Sequence, residues 1–581
     1  MKKTGSEIIT TLLEMHGVTT VAGIPGGSIL PLYDELNRSN IKHVLVRHEQ
    51  AAGFIAQGMA RSTGSVAVCM ATSGPGAMNL LTAIADARCD SVPIIAITGQ
   101  VNTTLLGTDA FQEADTFGLS FSITKHSVMV KDAKDLLTVI PEAFKIAKNG
   151  RPGPVLIDVP RNVQMQEVEF DAWPEIEDVK IKDNANVRFH TPASEYASKM
   201  EAISNLMKDS KKPVLFLGGG CNSVEAAKEL DKFLKLYKIP VTVSLMGIGS
   251  VPESSDVWTG MVGMHGSYAA NYAMYNSDLV IAAGVRFDDR ATGVVSKFCP
   301  NAKLVHIDID AAEVDKIIDS DVSVVADVES VFPILTTLVS EKKADFEAGN
   351  ADRKNWLSEV SKVKADTDSI TQGRPAGENK ANPREFISTI PQVAEKAGIK
   401  ADDLIVTTDV GQHQMFAAQY YPVEKARTFL TSGSLGTMGF GLPAALGAAL
   451  ANPDKRIVCF SGDGSIMMNI QEMATLAEQN LAVTVIIFVN GTLGMVYQQQ
   501  KYLFDKNYSA SVFYKNPDIL KIAEGFGIET VNADTDKEWY MKAFDANRAN
   551  KPCVVTVTVG CEEDVLPFVP GGKANIDAIR N

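Results

Sequence analysis

Short runs of aliphatic and β-branched residues alternate along the chain with longer stretches whose apolar positions recur at helical spacing. The runs at 66–71, 93–98, 214–217, 279–283, 304–307, 457–461 and 483–489 are apolar almost without interruption, as strands covered on both faces must be. Each predicts a strand, and the helical stretches between them predict parallel sheets covered by helices, an α/β fold. Two stretches of weak apolar periodicity, 171–194 and 341–382, divide the chain into three blocks. The expected architecture is three doubly wound parallel-sheet domains at 1–170, 190–345 and 380–565. The first and third blocks share a plan: a strand (66–71 or 457–461), a glycine-containing turn, a helix, then a second strand (93–98 or 483–489) ending in Gly or Asn. This parallel suggests a duplicated architecture.

At 581 residues the chain exceeds what one hydrophobic core supports, which fits several domains. With 45% hydrophobic and 22% charged residues, it has the composition of a soluble globular protein. A net charge of -15 argues against a nucleic-acid partner, because phosphate-backbone affinity rests on clustered Lys and Arg. The seven cysteines form no CxxC and no close-set framework, and they are expected to be reduced core residues. No stretch approaches the ~20 apolar residues of a membrane span. The N-terminal residues also lack the pattern of a secretory signal, so a cytoplasmic location is expected.

Candidate chemistry begins at Gly462-Asp463-Gly464-Ser465, placed between the strand 457–461 and an apolar pattern (Ile466, Ile470, Met473, Ala477) that predicts a helix. Free N–H groups at such a helix start favour a phosphate, and the two glycines let it come close. The next predicted strand ends at Asn490, 27 residues after Asp463. A right-handed strand-helix-strand crossover brings both residues to the carboxyl edge of one sheet. A carboxylate, an amide oxygen, a backbone carbonyl and diphosphate oxygens form the hard oxygen set that suits Mg²⁺.

The segment 462–490 resembles the thiamine diphosphate motif, although Val489 stands where the family usually has the first of two Asn residues. In that family a carboxylate near the aminopyrimidine ring activates the cofactor. Arg47-His48-Glu49-Gln50, at a predicted strand-to-helix junction, matches the motif around it, so the resemblance makes Glu49 the activating residue. It further implies that Met438, within Gly436-Thr437-Met438-Gly439, bends the cofactor. Val410, Gly411, Gln412, His413, Gly436, Gly464, Ser465, Gly494, Met495 and Val496 would contact it, and Thr492 would join Asp463 and Asn490 at the metal.

Over nearly its whole length the chain is similar to the large catalytic subunits of the acetohydroxyacid synthase (acetolactate synthase) family. The similarity is carried by Pro25-Gly26-Gly27, by 107–113, 124–127 and 150–154, by Gly263-Met264-His265-Gly266 and by Arg286-Phe287-Asp288-Asp289-Arg290. It implies decarboxylation of pyruvate and joining of the two-carbon unit to a second 2-keto acid, with Gly27 and Gln112 placing the acceptor. Read from its residues alone, the middle block is either a nucleotide-binding sheet or a spacer. In the family it is Rossmann-like and carries FAD, which here would meet Arg151, Gly218, Gly219, Gly220, His265, Gly266, Arg286, Asp288, Arg290, Asp308 and Asp327. The family also implies a homodimer or homotetramer and admits a small regulatory subunit.

Two departures bear on substrate. Arg161 replaces a Lys, and Gln499 replaces a Trp that in many members favours 2-ketobutyrate through apolar contact. Weak preference for 2-ketobutyrate over pyruvate is the expected result, at a cost of up to ~1–3 kcal/mol of discrimination. The rival readings are an FAD-using pyruvate oxidase, another thiamine diphosphate carboligase, and a non-catalytic homologue.

Overall fold

The computed structural model describes residues 1–176, 191–372 and 380–580. Each apolar run becomes a strand, and eighteen strands form three six-stranded sheets that are parallel throughout. The first sheet holds β1 (Thr20–Ile24), β2 (Lys42–Leu45), β3 (Ala67–Ala71), β4 (Ile94–Gln100), β5 (His126–Met129) and β6 (Val155–Pro160), in the order 2-1-3-4-6-5. The middle sheet holds β7 (Pro213–Leu217), β8 (Val241–Val243), β9 (Trp258–Met261), β10 (Leu279–Ala283), β11 (Lys303–Asp308) and β12 (Val322–Val325). Its order, 9-8-7-10-11-12, is that of a dinucleotide-binding sheet, with the switch point between β7 and β10. The third sheet holds β13 (Leu404–Thr408), β14 (Phe429–Leu430), β15 (Arg456–Gly462), β16 (Val483–Val489), β17 (Glu529–Asn532) and β18 (Cys553–Thr558). Its order, 14-13-15-16-18-17, repeats that of the first sheet strand for strand.

The first and third domains share one apolar core, in which residues of the first sheet such as Val44 and Cys69 join residues of the third such as Ile457 and Val485. The seam is helix on helix: α1 (Glu49–Thr63), α2 (Pro75–Cys89) and, much later in the chain, a helix at Gly441–Ala451. Gly58 and Gly447 permit the crossing. A Cβ on Gly58 would lie 2.1 Å from the Ala444 carbonyl oxygen, and one on Gly447 2.0 Å from that of Ile55. Side chains at these two positions would force the domains apart.

Of the stretch 171–194, residues 177–190 lie outside the described residues. Most of the stretch 341–382 is a long helix, Asn350–Gln372, whose pattern is polar because only one edge of it is covered. Trp356 and Val360 are its buried apolar positions, and the Trp356 indole donates to the Pro213 carbonyl at 3.1 Å, fastening the helix to the middle sheet. No described helix is long and apolar enough to cross a membrane.

Candidate active site

Register delivers the pair expected from spacing. Gly462 at the end of β15 pairs with Phe488 of β16, so Asp463 and Asn490 emerge side by side at the carboxyl edge of the third sheet. Asp463 Oδ2 accepts from the backbone N–H of Asn490 (3.2 Å) and Gly491 (2.8 Å) and from Asn516 Nδ2 (2.6 Å). Burial nevertheless raises its carboxyl above the value of the free side chain. Asn490 Oδ1 accepts from the Thr492 N–H (2.9 Å) and hydroxyl (3.0 Å), which fixes the amide's orientation. Among the described residues no group of three or more His, Cys, Asp or Glu side chains is placed to hold a metal. The oxygens here are one carboxylate, one amide and backbone carbonyls, a set that suits Mg²⁺ completed by phosphate oxygens.

Beyond the turn at 462–465 the chain departs from the expected helix. A short 3₁₀ segment, Ile466–Met468, intervenes, and the α-helix begins only at Glu472. Asn469 is the reason. Its side chain donates to the Gly439 carbonyl (2.8 Å) and to Gln50 (3.2 Å), and its backbone, at φ -138° and ψ 30°, cannot continue a helix. The turn at 462–465 therefore leads into one 3₁₀ turn, with little help from a helix dipole.

The neighbouring segments close around this edge. A Cβ on Gly464 would lie 2.9 Å from Leu493 Cδ2, and one on Gly494 would lie 2.2 Å from Gln412 Oε1. Gln412 is held by Gln498 Oε1 (3.0 Å) and the Glu563 carbonyl (2.8 Å). His413 is fully enclosed and burial pushes its pKa down to about 3, so it is a neutral ring. Ser465 Oγ sits 3.5 Å from His413 Nε2 and accepts from the Gly462 N–H at 3.1 Å. Asp409, which the sequence reading did not single out, accepts from Val410 N (2.9 Å) and Gly439 N (2.7 Å), tying both walls together, and burial raises it to about 6.

One cavity of about 1040 Å³ runs from this edge across to the middle sheet, and it is larger than the ~300–1,000 Å³ common for a single small ligand. Val410, Gly411, Gln412, His413, Gly436, Met438, Asp463, Gly464, Ser465, Asn490, Thr492, Gly494, Met495, Val496 and Gln499 line one end. Arg151, Gly219, Gly220, His265, Arg286, Asp288, Arg290, Asp308 and Asp327 line the other. Gly218 and Gly266 stand behind the wall; a Cβ on Gly218 would lie 1.9 Å from the Gly284 carbonyl, at the switch point itself. Arg151 is clamped by Ser91 (2.8 Å), Asp310 (3.2 Å) and Glu313 (2.6 Å), and burial raises Asp308 to about 7. His265 keeps a buried ring nitrogen, Nδ1, without a partner. Close-set glycines at a switch point, an acidic residue at the end of β11 and an unsatisfied imidazole nitrogen are features that a dinucleotide would fit.

Glu49, Gly27, Gln112 and Arg161 do not line that cavity. The first three gather instead at the carboxyl edge of the first sheet. A Cβ on Gly76 would lie 3.3 Å from Glu49 Oε1, and one on Gly74 would lie 2.8 Å from the Gln112 carbonyl. Ser28, next to Gly27, bonds Ser73 at 2.7 Å, and Thr72 Oγ1 is buried with no partner. Arg161 directly follows β6 at the same edge. Glu49 is the first residue of α1, where its charge complements the helix N-terminus.

One partner of Glu49 and one residue that holds the turn before it were missed in the sequence. Asn79 Nδ2 donates to Glu49 Oε2 at 2.9 Å. Glu472, fully buried in the third domain, accepts from the N–H groups of Arg47 (2.9 Å) and His48 (3.0 Å), holding the turn that presents Glu49. Asn79 could have been found, because it lies on α2 directly after the 72–76 turn. Glu472 could not, since the contact joins residues more than 420 positions apart.

Residues 3–119 match the N-terminal TPP binding domain of thiamine pyrophosphate enzymes, residues 200–335 their central domain and residues 409–557 their C-terminal TPP binding domain. Fold, site and family models together define a thiamine pyrophosphate enzyme of the three-domain kind. The chain is 44% identical to the acetolactate synthase isozyme 1 large subunit of Escherichia coli K12, over 99% of this chain and 97% of that protein. It is 39% identical to the isozyme 2 large subunit of the same organism, over 99% of both chains. It is also 42% identical to the acetolactate synthase large subunit of Corynebacterium glutamicum, over 99% of this chain and 90% of that protein. The chain belongs to the acetolactate synthase large-subunit family.

Proposed function

We propose that this chain is the catalytic subunit of an acetolactate synthase. It decarboxylates pyruvate and joins the two-carbon unit to a second pyruvate or to 2-ketobutyrate, giving 2-acetolactate or 2-aceto-2-hydroxybutyrate, the first common step of branched-chain amino acid biosynthesis. The observation that carries the proposal is the strand register that sets Asp463 beside Asn490 above a glycine turn, in a chain 44% identical end to end to a named acetolactate synthase subunit.

When bound, thiamine diphosphate supplies the electron sink that lets a 2-keto acid lose CO₂. Asp463, Asn490 and Thr492 would hold Mg²⁺, which would neutralise the diphosphate. Gly464 and Ser465 offer close backbone approach to that group, and Val410, Gly411, Gln412, His413, Gly436, Gly494, Met495 and Val496 surround the rings, with Met438 bending the molecule. Glu49 exchanges a proton with the pyrimidine ring. Its Oε2 is occupied by Asn79, which leaves Oε1, beside Gly76, for the ring. Gly27 and Gln112 place the acceptor, Arg161 meets the substrate carboxylate, and Gln499 tunes acceptor choice. Arg151, Gly218, Gly219, Gly220, His265, Gly266, Arg286, Asp288, Arg290, Asp308 and Asp327 would hold FAD at the middle-domain end of the cavity.

Because the Glu49 edge and the Asp463 edge lie apart within one chain, each site is completed by a second copy, in a homodimer or homotetramer. Exposed apolar side chains at both edges support this. Phe111 and Phe121 are 88% and 73% exposed near Gln112, and Met468, which packs on Gly439, is 52% exposed. Surfaces of this kind mark interfaces. The domains run 1–170, 190–345 and 380–565, the protein is cytoplasmic, and a small regulatory subunit is a further partner.

The test is incubation with pyruvate, thiamine diphosphate, Mg²⁺ and FAD, with the carbon product identified. Acetolactate formation is expected. Oxygen uptake with acetyl phosphate or acetate as product would replace the proposal with a pyruvate oxidase, and absence of CO₂ release would remove it.

A further inference from the structure

We infer that Asp86 and Asp90, with Arg61 between them, are positioning residues that set the loop carrying Gly436 and Met438, a role that rests on the thiamine diphosphate reading above. Asn79 and Asp86 fall on one face of α2 at a spacing of seven residues, and Asp90 is the residue that caps its C-terminus. Asn79 serves Glu49 and the other two serve the opposite end of the molecule's chemistry.

Both aspartates have no exposed side-chain surface, and Arg61 donates from the one guanidinium nitrogen Nη2 to Asp86 (3.3 Å) and Asp90 (2.9 Å). Two buried carboxylates against one guanidinium leave a surplus negative charge, which must be met by further donors. The loop after β14 supplies all of them. Ser432 Oγ and Thr437 Oγ1 (2.7 Å) donate to Asp86 Oδ2, while the N–H groups of Gly433 (2.9 Å) and Ser434 (2.8 Å) donate to the two oxygens of Asp90. The Arg61 ion pair lies wholly within the first domain, so the carboxylates' contacts that cross to the third domain are those of this loop. Four donors from a six-residue stretch make the carboxylates the template on which that stretch is shaped.

The stretch has no regular structure of its own and turns at Gly436, with φ +65°, and Gly439, with φ +91°. Asp86 grips it at Thr437 and Asp409 at Gly439, so Met438 is held between two fixed carboxylates. The same loop meets the other end of the cavity, because Arg286 donates to Ser434 Oγ. The position of Met438 is thereby decided in part by Asp86 and Asp409, which do not line the cavity.

The experiment titrates thiamine diphosphate, in the presence of Mg²⁺ and FAD, into wild type, Asp86→Asn and the nearly isosteric Thr437→Val, reading cofactor binding and pyruvate turnover. For Asp86→Asn the half-saturating cofactor concentration should rise about 10- to 100-fold, the span of a hydrogen bond to a charged group. Thr437→Val should show a smaller rise, with an unchanged melting temperature of the cofactor-free protein. The KM for pyruvate at saturating cofactor should stay within about twofold of wild type. Wild-type cofactor affinity in Thr437→Val, or a melting loss without an affinity change in Asp86→Asn, would overturn the inference. A wild-type protein that binds no thiamine diphosphate would remove the functional reading and this inference together.

Discussion

The first and third sheets have the same strand order and are joined in one core, yet their carboxyl edges present different groups. After β3 the chain runs through Thr72-Ser73-Gly74 straight into the fifteen-residue α2, and the edge presents Glu49, Gln112 and a buried unpaired hydroxyl. After β15 it runs through Gly462-Asp463-Gly464 into a single 3₁₀ turn, and the edge presents Asp463 and Asn490 with backbone N–H groups beside them. On the proposed function, one edge would move a proton and the other would hold a metal and a diphosphate. The difference teaches that strand order decides where a site can form and that the turns leaving the strands decide what the site does.

The comparison breaks most sharply at Glu49. Glu49→Ala should lower turnover by about 10²–10⁴, the usual worth of a proton-transfer group, with cofactor binding retained. Near-normal kcat would take the proton-transfer role from the first edge. Asp463→Ala should do the reverse, weakening Mg²⁺-dependent cofactor retention by about 10²-fold or more. Isothermal titration with and without Mg²⁺ reads this directly. A mixture of Glu49→Ala and Asp463→Ala proteins sharpens the contrast: if sites are completed by a second copy, subunit exchange should restore part of the activity that each variant lacks.

A smaller effect is expected at Gln499. Gln499→Trp should raise the preference for 2-ketobutyrate over pyruvate by about tenfold, the value of one well-placed apolar contact, in a competition assay read by product ratio. An unchanged ratio would place acceptor choice elsewhere. The smallest effect concerns Asp409. Its folded pKa, about 6, lies above the 3.8 of the free side chain, so the folded state binds the proton more tightly. Its contribution is most favourable below pH 4 and declines as pH rises through 6. Asp409→Asn should flatten that decline, seen as a melting-temperature difference from wild type that changes between pH 4 and 6 and is constant above pH 7.

Much of the fold was legible because parallel strands covered on both faces must be apolar throughout, and runs such as 483–489 and 279–283 coincide with β16 and β10. The Asp463–Asn490 pair was legible for a related reason, since a crossover of that length returns to the same edge. The long helix Asn350–Gln372 was not, because a helix covered along one edge carries too few apolar positions to announce itself. The helix start expected after Ser465 failed because Asn469 answers to Gly439 and Gln50, residues distant in sequence.

By itself the amino-acid sequence determined which segments are strands, which turns succeed them and which side chains those turns offer, because these depend on residues a few positions apart. Tertiary structure alone decided that Glu49 stands away from Asp463 in its own chain, that Glu472 holds the turn presenting Glu49, and that Asp86 and Asp90 shape the loop around Met438. Those relations join groups hundreds of residues apart through buried hydrogen bonds. Their energy comes from being shut off from water together, a condition that exists only once the domains have packed.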